Sequence, residues 1–371
     1  MLNFAKIFLS ASILIYAATA RADVNVAVIA PRVGELKTFG DEVVNGVKIA
    51  VDDINSQGGI QGERINLVIV DDRCDDKFAV STAQMMAVNN TADKMNLVIG
   101  PYCQNEFFRV SDIYAQAGIL QIIPTGISAD ETKHNHSGLV KMVGSTDRQG
   151  RDFYNYYRLN FDDERVALVY DSAQRNAVEI AAAVQKEFFA DNEQAELQSY
   201  DLQLYKSDIT RLARKIDGSG AKVVYILGEA EEIARLARDL KDENSNIVLF
   251  TDRYQAQNDY QEMLGDLAEG SYQIALPSLK NSPNFTETLV RLRLQGAEPE
   301  GLGVYGYSAV KLWQDMVEKA DSFKYQDVVQ ILNKTRFITA WGETMFTNGN
   351  PDNIVNYGIY KIQSGEYTQV Y

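Results

Sequence analysis

The chain has 371 residues, of which 46% are hydrophobic and 23% are charged, so it can bury sizeable cores and is not disordered. Its formal net charge of -15 argues against a nucleic-acid partner, which would need a basic patch, and against binding to anionic lipid. We expect the excess of carboxylates to keep the protein soluble and monomeric. A chain of this length usually divides into two domains.

The first residues indicate export. Lys6 carries a positive charge, the uncharged apolar run Ile7–Ala20 follows it, and small residues stand at both ends of Ala20–Ala22. This order is typical of a secretory signal peptide. The apolar run has 14 residues, which is shorter than the roughly 20 that a membrane-spanning helix needs. We therefore predict a signal peptide over residues 1–22 with cleavage after Ala22.

Strand-like and helix-like segments alternate in the first part of the exported chain. Apolar runs predict strands at Val24–Ile29, Ile65–Val70, Leu97–Ile99 and Leu120–Ile123. Apolar residues at helical spacing predict helices at Gly40–Asn55, Ala79–Val88 and Phe108–Ala117. This β-α repeat predicts a parallel sheet covered by helices.

The same pattern begins again after a hinge-like stretch near Gly144–Arg148. The predicted strands are Val166–Tyr170, Val223–Leu227 and Ile247–Phe250, and the predicted helices are Val178–Ala190, Asp208–Ile216 and Ile233–Leu240. Further predicted elements are the helices Phe285–Leu294, Tyr305–Lys319 and Tyr325–Lys334 and a terminal hairpin of Tyr357–Ile362 and Glu366–Val370. Two α/β lobes in tandem leave a cleft between them, which is a favoured place for a ligand.

The two cysteines, Cys74 and Cys103, predict a disulfide because an exported chain meets an oxidising compartment. Such a bond would stabilise the fold by about 3 kcal/mol in the chain-entropy model. The only histidines, His134 and His136, lie in a polar loop, and a four-ligand zinc pattern is absent, so we predict no metal site. The acidic run at residues 71–76 lacks the spacing of a calcium loop and indicates a solvated strand end.

Motifs for catalysis are missing from the sequence. It contains no G-x-S-x-G, H-E-x-x-H, P-loop or C-x-x-C motif, and no dinucleotide fingerprint follows Val24–Ile29. Two histidines in one loop leave little material for a Ser-His-Asp or Cys-His arrangement. A cleft without such groups in an exported chain favours binding over turnover, so we predict that the protein is not an enzyme and uses no cofactor.

Several short motifs together resemble one known family. They are Phe39-Gly40 with Ile54-Asn55 and Gly58-Gly59-Ile60-x-Gly62, Asp71-Asp72-x-Cys74-Asp75, Val98-Ile99-Gly100-x-x-Cys103, Ser111-Asp112-Ile113-Tyr114 with Gly118-Ile119-Leu120, and Gly265-Asp266-x-Ala268-Glu269-Gly270. Each motif is weak alone, but together they cover nearly all of the exported chain. On these motifs the sequence resembles the type I periplasmic binding proteins of the leucine/isoleucine/valine group.

The resemblance implies an α/β fold with two Rossmann-like lobes whose parallel sheets are joined by three crossovers. Lobe 1 would comprise residues 23–144 and 277–340, and lobe 2 residues 145–276 and 341–371. The implied function is the periplasmic substrate-binding component of an amino-acid ABC import system, with a membrane permease as partner. One alternative is a ligand-binding sensor that docks on a signalling receptor, and another is an exported α/β enzyme. The resemblance also implies the Cys74–Cys103 disulfide.

In lobe 1 the resemblance implies a site for the carboxylate of a zwitterionic solute. Backbone N–H groups at a helix N-terminus suit an anion. The candidates are Gln104 and Asn105 after Cys103, Thr125, Gly126 and Ser128 after Pro124, and Phe39 as an aromatic wall.

In lobe 2 the sequence departs from the family pattern. Arg253 stands where the family has an acidic residue for the ammonium group, Arg175 stands where it has an aromatic residue, and Glu229 or Glu231 lies near a third family position. Basic residues would repel an ammonium group and could bind a second carboxylate, which implies an acidic amino acid or another anionic solute. The alternative is that the alignment is displaced by one or two residues and that Asp252 binds the ammonium group.

Overall fold

The computed structural model describes residues 24–34, 36–88, 94–126, 137–191, 197–244, 246–252, 260–279, 282, 285–296, 301–353 and 356–371. The predicted signal peptide, the two histidines, Ser128 and Arg253 lie outside these residues. Gln104 and Asn105 are described by their backbone alone. In the described part of the chain no helix is long and apolar enough to cross a membrane.

The first sheet has, within the described residues, five parallel strands in the order β2-β1-β3-β4-β5. The strands are β1 (Val24–Ile29), β2 (Ile65–Val70), β3 (Met95–Ile99), β4 (Leu120–Ile123) and β5 (Leu139–Lys141), and the helices of this part are α1 (Lys37–Ser56), α2 (Asp76–Ala87) and α3 (Gln104–Ala117). Every residue of β1 is buried, because helices cover both faces of a parallel sheet. The predicted β-α repeat is confirmed.

The second sheet has seven strands among the described residues, in the order β15-β14-β10-β9-β8-β6-β7. They are β6 (Val166–Tyr170), β7 (Leu197–Asp201), β8 (Val223–Leu227), β9 (Val248–Asp252), β10 (Tyr272–Ala275), β14 (Gly358–Gln363) and β15 (Glu366–Gln369). Its helices are α4 (Arg148–Asn160), α5 (Arg175–Asp191), α6 (Ile209–Gly218) and α7 (Ala230–Glu243). Strands β14 and β15 form the predicted hairpin and extend the sheet antiparallel to β10.

A small antiparallel sheet completes the first lobe. It consists of β11 (Arg336–Thr339), β12 (Gly342–Thr347) and β13 (Asn350–Pro351), and it follows the helices α8 (Thr286–Leu294), α9 (Gly303–Ala320) and α10 (Tyr325–Leu332). The N–H of Lys141 in β5 donates to the carbonyl of Gly349, 2.8 Å away. The chain thus passes between the two large sheets three times, as the family resemblance implied.

The lobe boundaries at residues 144, 276 and 340 remain predictions. Residue 340 lies between β11 and β12, which pair with each other, and the small sheet that they form contacts β5 of the first sheet. We propose that the third crossover therefore begins after Pro351 rather than at residue 340.

Helix α4 was not predicted from the sequence. Its buried face is built from one phenylalanine and several tyrosines rather than from aliphatic residues, so it lacks an obvious apolar period. The ring of Phe153 lies 4.6 Å from Tyr225 and 5.0 Å from Phe250, measured between ring centroids. Aromatic packing onto β8 and β9 therefore holds this helix on the second sheet.

Glycines let α1 and α9 approach each other at backbone distance. A Cβ atom on Gly46 would lie 1.8 Å from the carbonyl oxygen of Gly303, and one on Gly306 would lie 2.4 Å from the carbonyl oxygen of Val43. Neither distance is possible for a real side chain. The contact between these two helices therefore depends on glycine at both positions.

We predict that Gly46→Ala destabilises the protein by about 1–3 kcal/mol, because the added methyl group forces the two helices apart. This cost exceeds the roughly 1 kcal/mol that alanine gains over glycine in helix propensity. Calorimetry measures the Tm of this variant and of the control Gly218→Ala, where a Cβ atom would meet nothing within 4 Å. An unchanged Tm for Gly46→Ala would contradict the close approach.

Candidate functional site

The candidate site lies where the carboxyl ends of the parallel strands of the two large sheets meet, which is the usual place for a ligand in open α/β folds. The first sheet contributes the segments after β3 and β4, and the second contributes the end of β9. Two observations bring them together. The charge of Asp252 in β9 reaches the hydroxyl of Tyr102 after β3, and the hydroxyl of Tyr357 contacts Gly126 after β4.

The disulfide between Cys74 and Cys103 is present, which confirms its prediction. It joins the loop after β2 to the residue that immediately precedes α3. The bond therefore fixes the N-terminus of α3, where the sequence placed the first set of anion-binding groups.

Helix α3 begins at Gln104, four residues earlier than its apolar pattern indicated. Gln104 and Asn105 are therefore the first two helical residues. The first four N–H groups of a helix have no acceptor within the helix, and they carry the positive end of its dipole. The backbone at this point is suited to a carboxylate, whereas the role of the two residues remains a prediction.

An aromatic pair lines the first-sheet side of the site. The rings of Phe39 and Tyr102 are stacked, with centroids 6.2 Å apart and planes at 7°. Burial, followed by the charges of Asp252 and Glu42, raises the pKa of Tyr102 far above its ordinary value. The Tyr102 hydroxyl therefore stays protonated and can donate a hydrogen bond.

The turn after β4 is buried and polar. The hydroxyl of Thr125 is inaccessible to solvent and has no hydrogen-bond partner among the described residues. A Cβ atom on Gly126 would lie 2.4 Å from Tyr357 Oη and 3.2 Å from Thr146 Cγ2. The turn is thus enclosed by residues of two crossovers.

Asp252 is the buried acidic residue on the second-sheet side. It is the last residue of β9, only 2% of its surface is exposed, and its Oδ2 accepts from Gln149 Nε2 at 3.2 Å. Burial of each ring, followed by the charge of Asp252, raises the pKa of Tyr225 and of Tyr357 well above the ordinary value. Asp252 is therefore surrounded by groups that remain hydrogen-bond donors at neutral pH.

Gln149, Asp152, Tyr225 and Tyr357 were not singled out from the sequence. Gln149 Oε1 and Tyr225 Oη are buried and have no hydrogen-bond partner among the residues that the structure covers. Asp152 Oδ2 accepts from the backbone N–H of Tyr357 at 2.8 Å. The only sequence signal nearby was the hinge-like stretch that ends at Arg148, one residue before Gln149.

Arg175 and Glu229 lie further along the edge of the second sheet. Arg175 is the first residue of α5, and its Nε donates to Glu179 Oε1 at 3.0 Å. Glu179 also accepts from Thr146 of the first crossover, at 3.4 Å. Glu229 precedes α7 and is exposed. Their roles in solute binding remain predictions.

The acidic side chains after β2 accept hydrogen bonds from nearby backbone N–H groups. Asp71 Oδ1 accepts from the N–H groups of Arg32 and Arg73, and Asp75 accepts from two N–H groups in the first turn of α2. These bonds agree with the interpretation of the segment as a strand end rather than a calcium loop.

The comparisons with known proteins decide the family. A sequence profile described as "Periplasmic binding protein" matches residues 23–366. The chain belongs to the periplasmic binding protein family. Its members are solute-binding proteins of the periplasm rather than enzymes, which confirms the predicted family and the prediction drawn from the missing catalytic motifs.

Curated relatives match the chain over most of its length. The Leu/Ile/Val-binding protein BraC3 of Rhizobium johnstonii is 28% identical over 95% of both chains. The Leu/Ile/Val-binding protein homolog 1 of Brucella melitensis is 26% identical over 96% of this chain and 94% of its own.

A solved structure shares the fold at low identity. The leucine-binding protein LivK of Thermotoga maritima superposes with a TM-score of 0.79 at 20% identity, covering 94% of this chain and 98% of its own. This similarity confirms the two-lobed α/β fold.

Asp152 gives a prediction about pH. Burial raises its pKa above the ordinary value, against the lowering effects of the Tyr357 N–H, Arg148 and Arg151. When an acidic group has a raised pKa in the folded state, the protein loses stability as pH rises through that pKa. We expect Asp152→Asn, which keeps the acceptor for Tyr357, to gain in Tm relative to the wild type between pH 4 and pH 7.

The comparison uses thermal unfolding of both proteins across that pH range, with Asp152→Ala as control. The alanine variant lacks the acceptor and should be less stable than Asp152→Asn at every pH. If the Tm of the wild type instead rose relative to that of the asparagine variant as pH rises, the fold would stabilise the carboxylate and the prediction would be wrong.

Proposed function

We propose that this protein is the periplasmic substrate-binding component of an amino-acid ABC import system. The observation that carries the proposal is the meeting of a buried carboxylate, Asp252, with a helix N-terminus and an aromatic pair from the other sheet. An α-amino acid has a carboxylate and an ammonium group on one carbon. Such a site offers each charge a partner of opposite sign.

In the proposed complex the solute carboxylate binds the N–H groups at Gln104 and Asn105 and the turn at Thr125, Gly126 and Ser128. Its ammonium group binds Asp252. Phe39 and Tyr102 form the wall beside the side chain. Closure of the two lobes about the crossovers excludes water, which strengthens both charge interactions because the local dielectric falls.

The relatives support an amino-acid solute. BraC3 is named for leucine, isoleucine and valine. The LivJ protein of Streptococcus pneumoniae, which shares the fold with a TM-score of 0.79 at 18% identity over 93% of this chain and 97% of its own, was solved with isoleucine. The proposed partner of the closed protein is a membrane permease of the importer, to which a monomer would deliver its solute.

A second solute class remains open because of the basic residues in lobe 2. Arg175, together with Arg253 outside the described residues, could bind a second carboxylate, which would favour an acidic amino acid or another anionic solute. A Rhodopseudomonas palustris solute-binding protein of the same fold was solved with benzoate; its TM-score is 0.75 at 16% identity, covering 94% of this chain and 95% of its own. Arg175 would have to exchange its bond to Glu179 for such a solute.

The proposal is tested by thermal unfolding of the mature protein in the presence of leucine, isoleucine, valine, glutamate or benzoate. A ligand at about 100 times its Kd adds roughly 2.7 kcal/mol of stability, so binding raises the Tm measurably. We expect a shift with the apolar amino acids. A shift with glutamate or benzoate alone would favour the anionic class, and no shift with any amino acid would overturn the proposed function.

Two variants then separate the solute classes in calorimetric titration. We expect Asp252→Asn to weaken leucine binding by about 10–100-fold, because a charge-assisted hydrogen bond of roughly 1.5–3 kcal/mol is lost. Arg175→Gln, which removes a cation outside the Asp252 cluster, should leave leucine binding within about threefold. The reverse pattern would assign the solute to the basic residues.

A further inference from the structure

Tyr357 belongs to the third connection between the two large sheets. It lies directly before β14 and only 2% of its surface is exposed. Its backbone is fastened to α4, because its N–H donates to Asp152 Oδ2, and the neighbouring Asn356 accepts from Arg148 Nη2 at 2.6 Å. The third crossover is therefore tied to the start of the second lobe, next to the first crossover.

The side chain of Tyr357 reaches in the other direction, to the first lobe. Its hydroxyl lies against Gly126, so closely that a Cβ atom there would be only 2.4 Å away. The next nearest atoms to that Cβ position are Thr146 Cγ2 at 3.2 Å and the carbonyl oxygen of Gly144 at 3.7 Å. The backbone φ of Gly126 is not in the left-handed region. Glycine is therefore required at this position by the Tyr357 oxygen and not by backbone conformation.

The hydroxyl of Tyr357 also faces negative charge. Burial and the carboxylates of Asp252, Asp152 and Asp147 raise its pKa far above the ordinary value, so the phenol stays neutral. One side chain thus joins the turn after β4, the acidic group of the second lobe and the third crossover.

We propose that Tyr357 is a positioning residue of the solute site, whose hydroxyl sets the place of the Thr125–Gly126 turn against the first and third crossovers. The hydroxyl thereby fixes where the polar groups of the turn lie relative to the solute. The inference rests on the proposed function, because it assumes that this turn contacts the solute.

A double-mutant cycle in the absence of solute tests the contact. Gly126→Ala should lower the Tm by about 2–6 °C, because its methyl group meets the Tyr357 oxygen. In Gly126→Ala combined with Tyr357→Phe that oxygen is gone, the nearest atom is Thr146 Cγ2, and at least half of the lost Tm should return. Equal Tm values for the single alanine and the double variant would overturn the inference.

Titration with L-leucine tests the positioning role. We expect Tyr357→Phe to weaken binding by about 3–10-fold, and Gly126→Ala by more than about 10-fold, with recovery toward the Tyr357→Phe value in the double variant. The controls are Gly218→Ala, where a Cβ atom meets nothing, and Tyr260→Phe, which removes a buried hydroxyl 3.3 Å from Ser271 Oγ in the second lobe. Both controls should bind leucine like the wild type.

The outcomes separate this inference from the proposed function. Coupling in Tm with unchanged affinities in all variants would show a purely structural contact and overturn the positioning role. A wild type that binds none of the amino acids would overturn the proposed function and the solute role of Tyr357 together. Coupling in both Tm and affinity supports the inference.

Discussion

The site depends on the burial of one carboxylate. Removing Asp252 from water costs several kcal/mol unless other groups compensate for its charge. Gln149 donates to it, and Tyr102, Tyr225 and Tyr357 stay protonated within reach of its charge. These residues come from the first lobe, from a helix and a strand of the second lobe and from the third crossover. One buried charge is therefore within reach of groups from both lobes and from the third crossover.

Close contacts that only glycine allows support this arrangement. Gly46 and Gly306 let α1 and α9 pack at backbone distance within the first lobe, and Gly126 lets the turn after β4 contact Tyr357. Neither contact can accept even a methyl group, so the turn after β4 has little freedom to shift toward Tyr357. A fixed turn is what the proposed capture of a solute by lobe closure needs.

The choice between solute classes is an electrostatic one. A buried carboxylate favours a cation, and a solute with an ammonium group satisfies it without further proton uptake. Arg175 favours an anion, but its guanidinium already donates to Glu179, so an anionic solute must compete with that bond. Both groups can serve one zwitterion with a polar side chain. In the proposed complex, the class of solute depends on which of the two charges lies nearer to it.

Local sequence determined most of the secondary elements of the two large sheets, the α/β class, the disulfide and the family. Continuous apolar runs such as β1 and helical spacing such as that of α1 depend on neighbours in the chain, and two cysteines allow one pairing. Helix α4 and the small sheet could not be predicted in the same way, because tyrosine packing and long-range strand pairing leave no local period. The tertiary structure decided that Gln149, Tyr225 and Tyr357, which are far apart in sequence, surround the charge of Asp252. The order of the strands and the crossovers between the lobes bring such residues together, and neither can be read from a local sequence pattern.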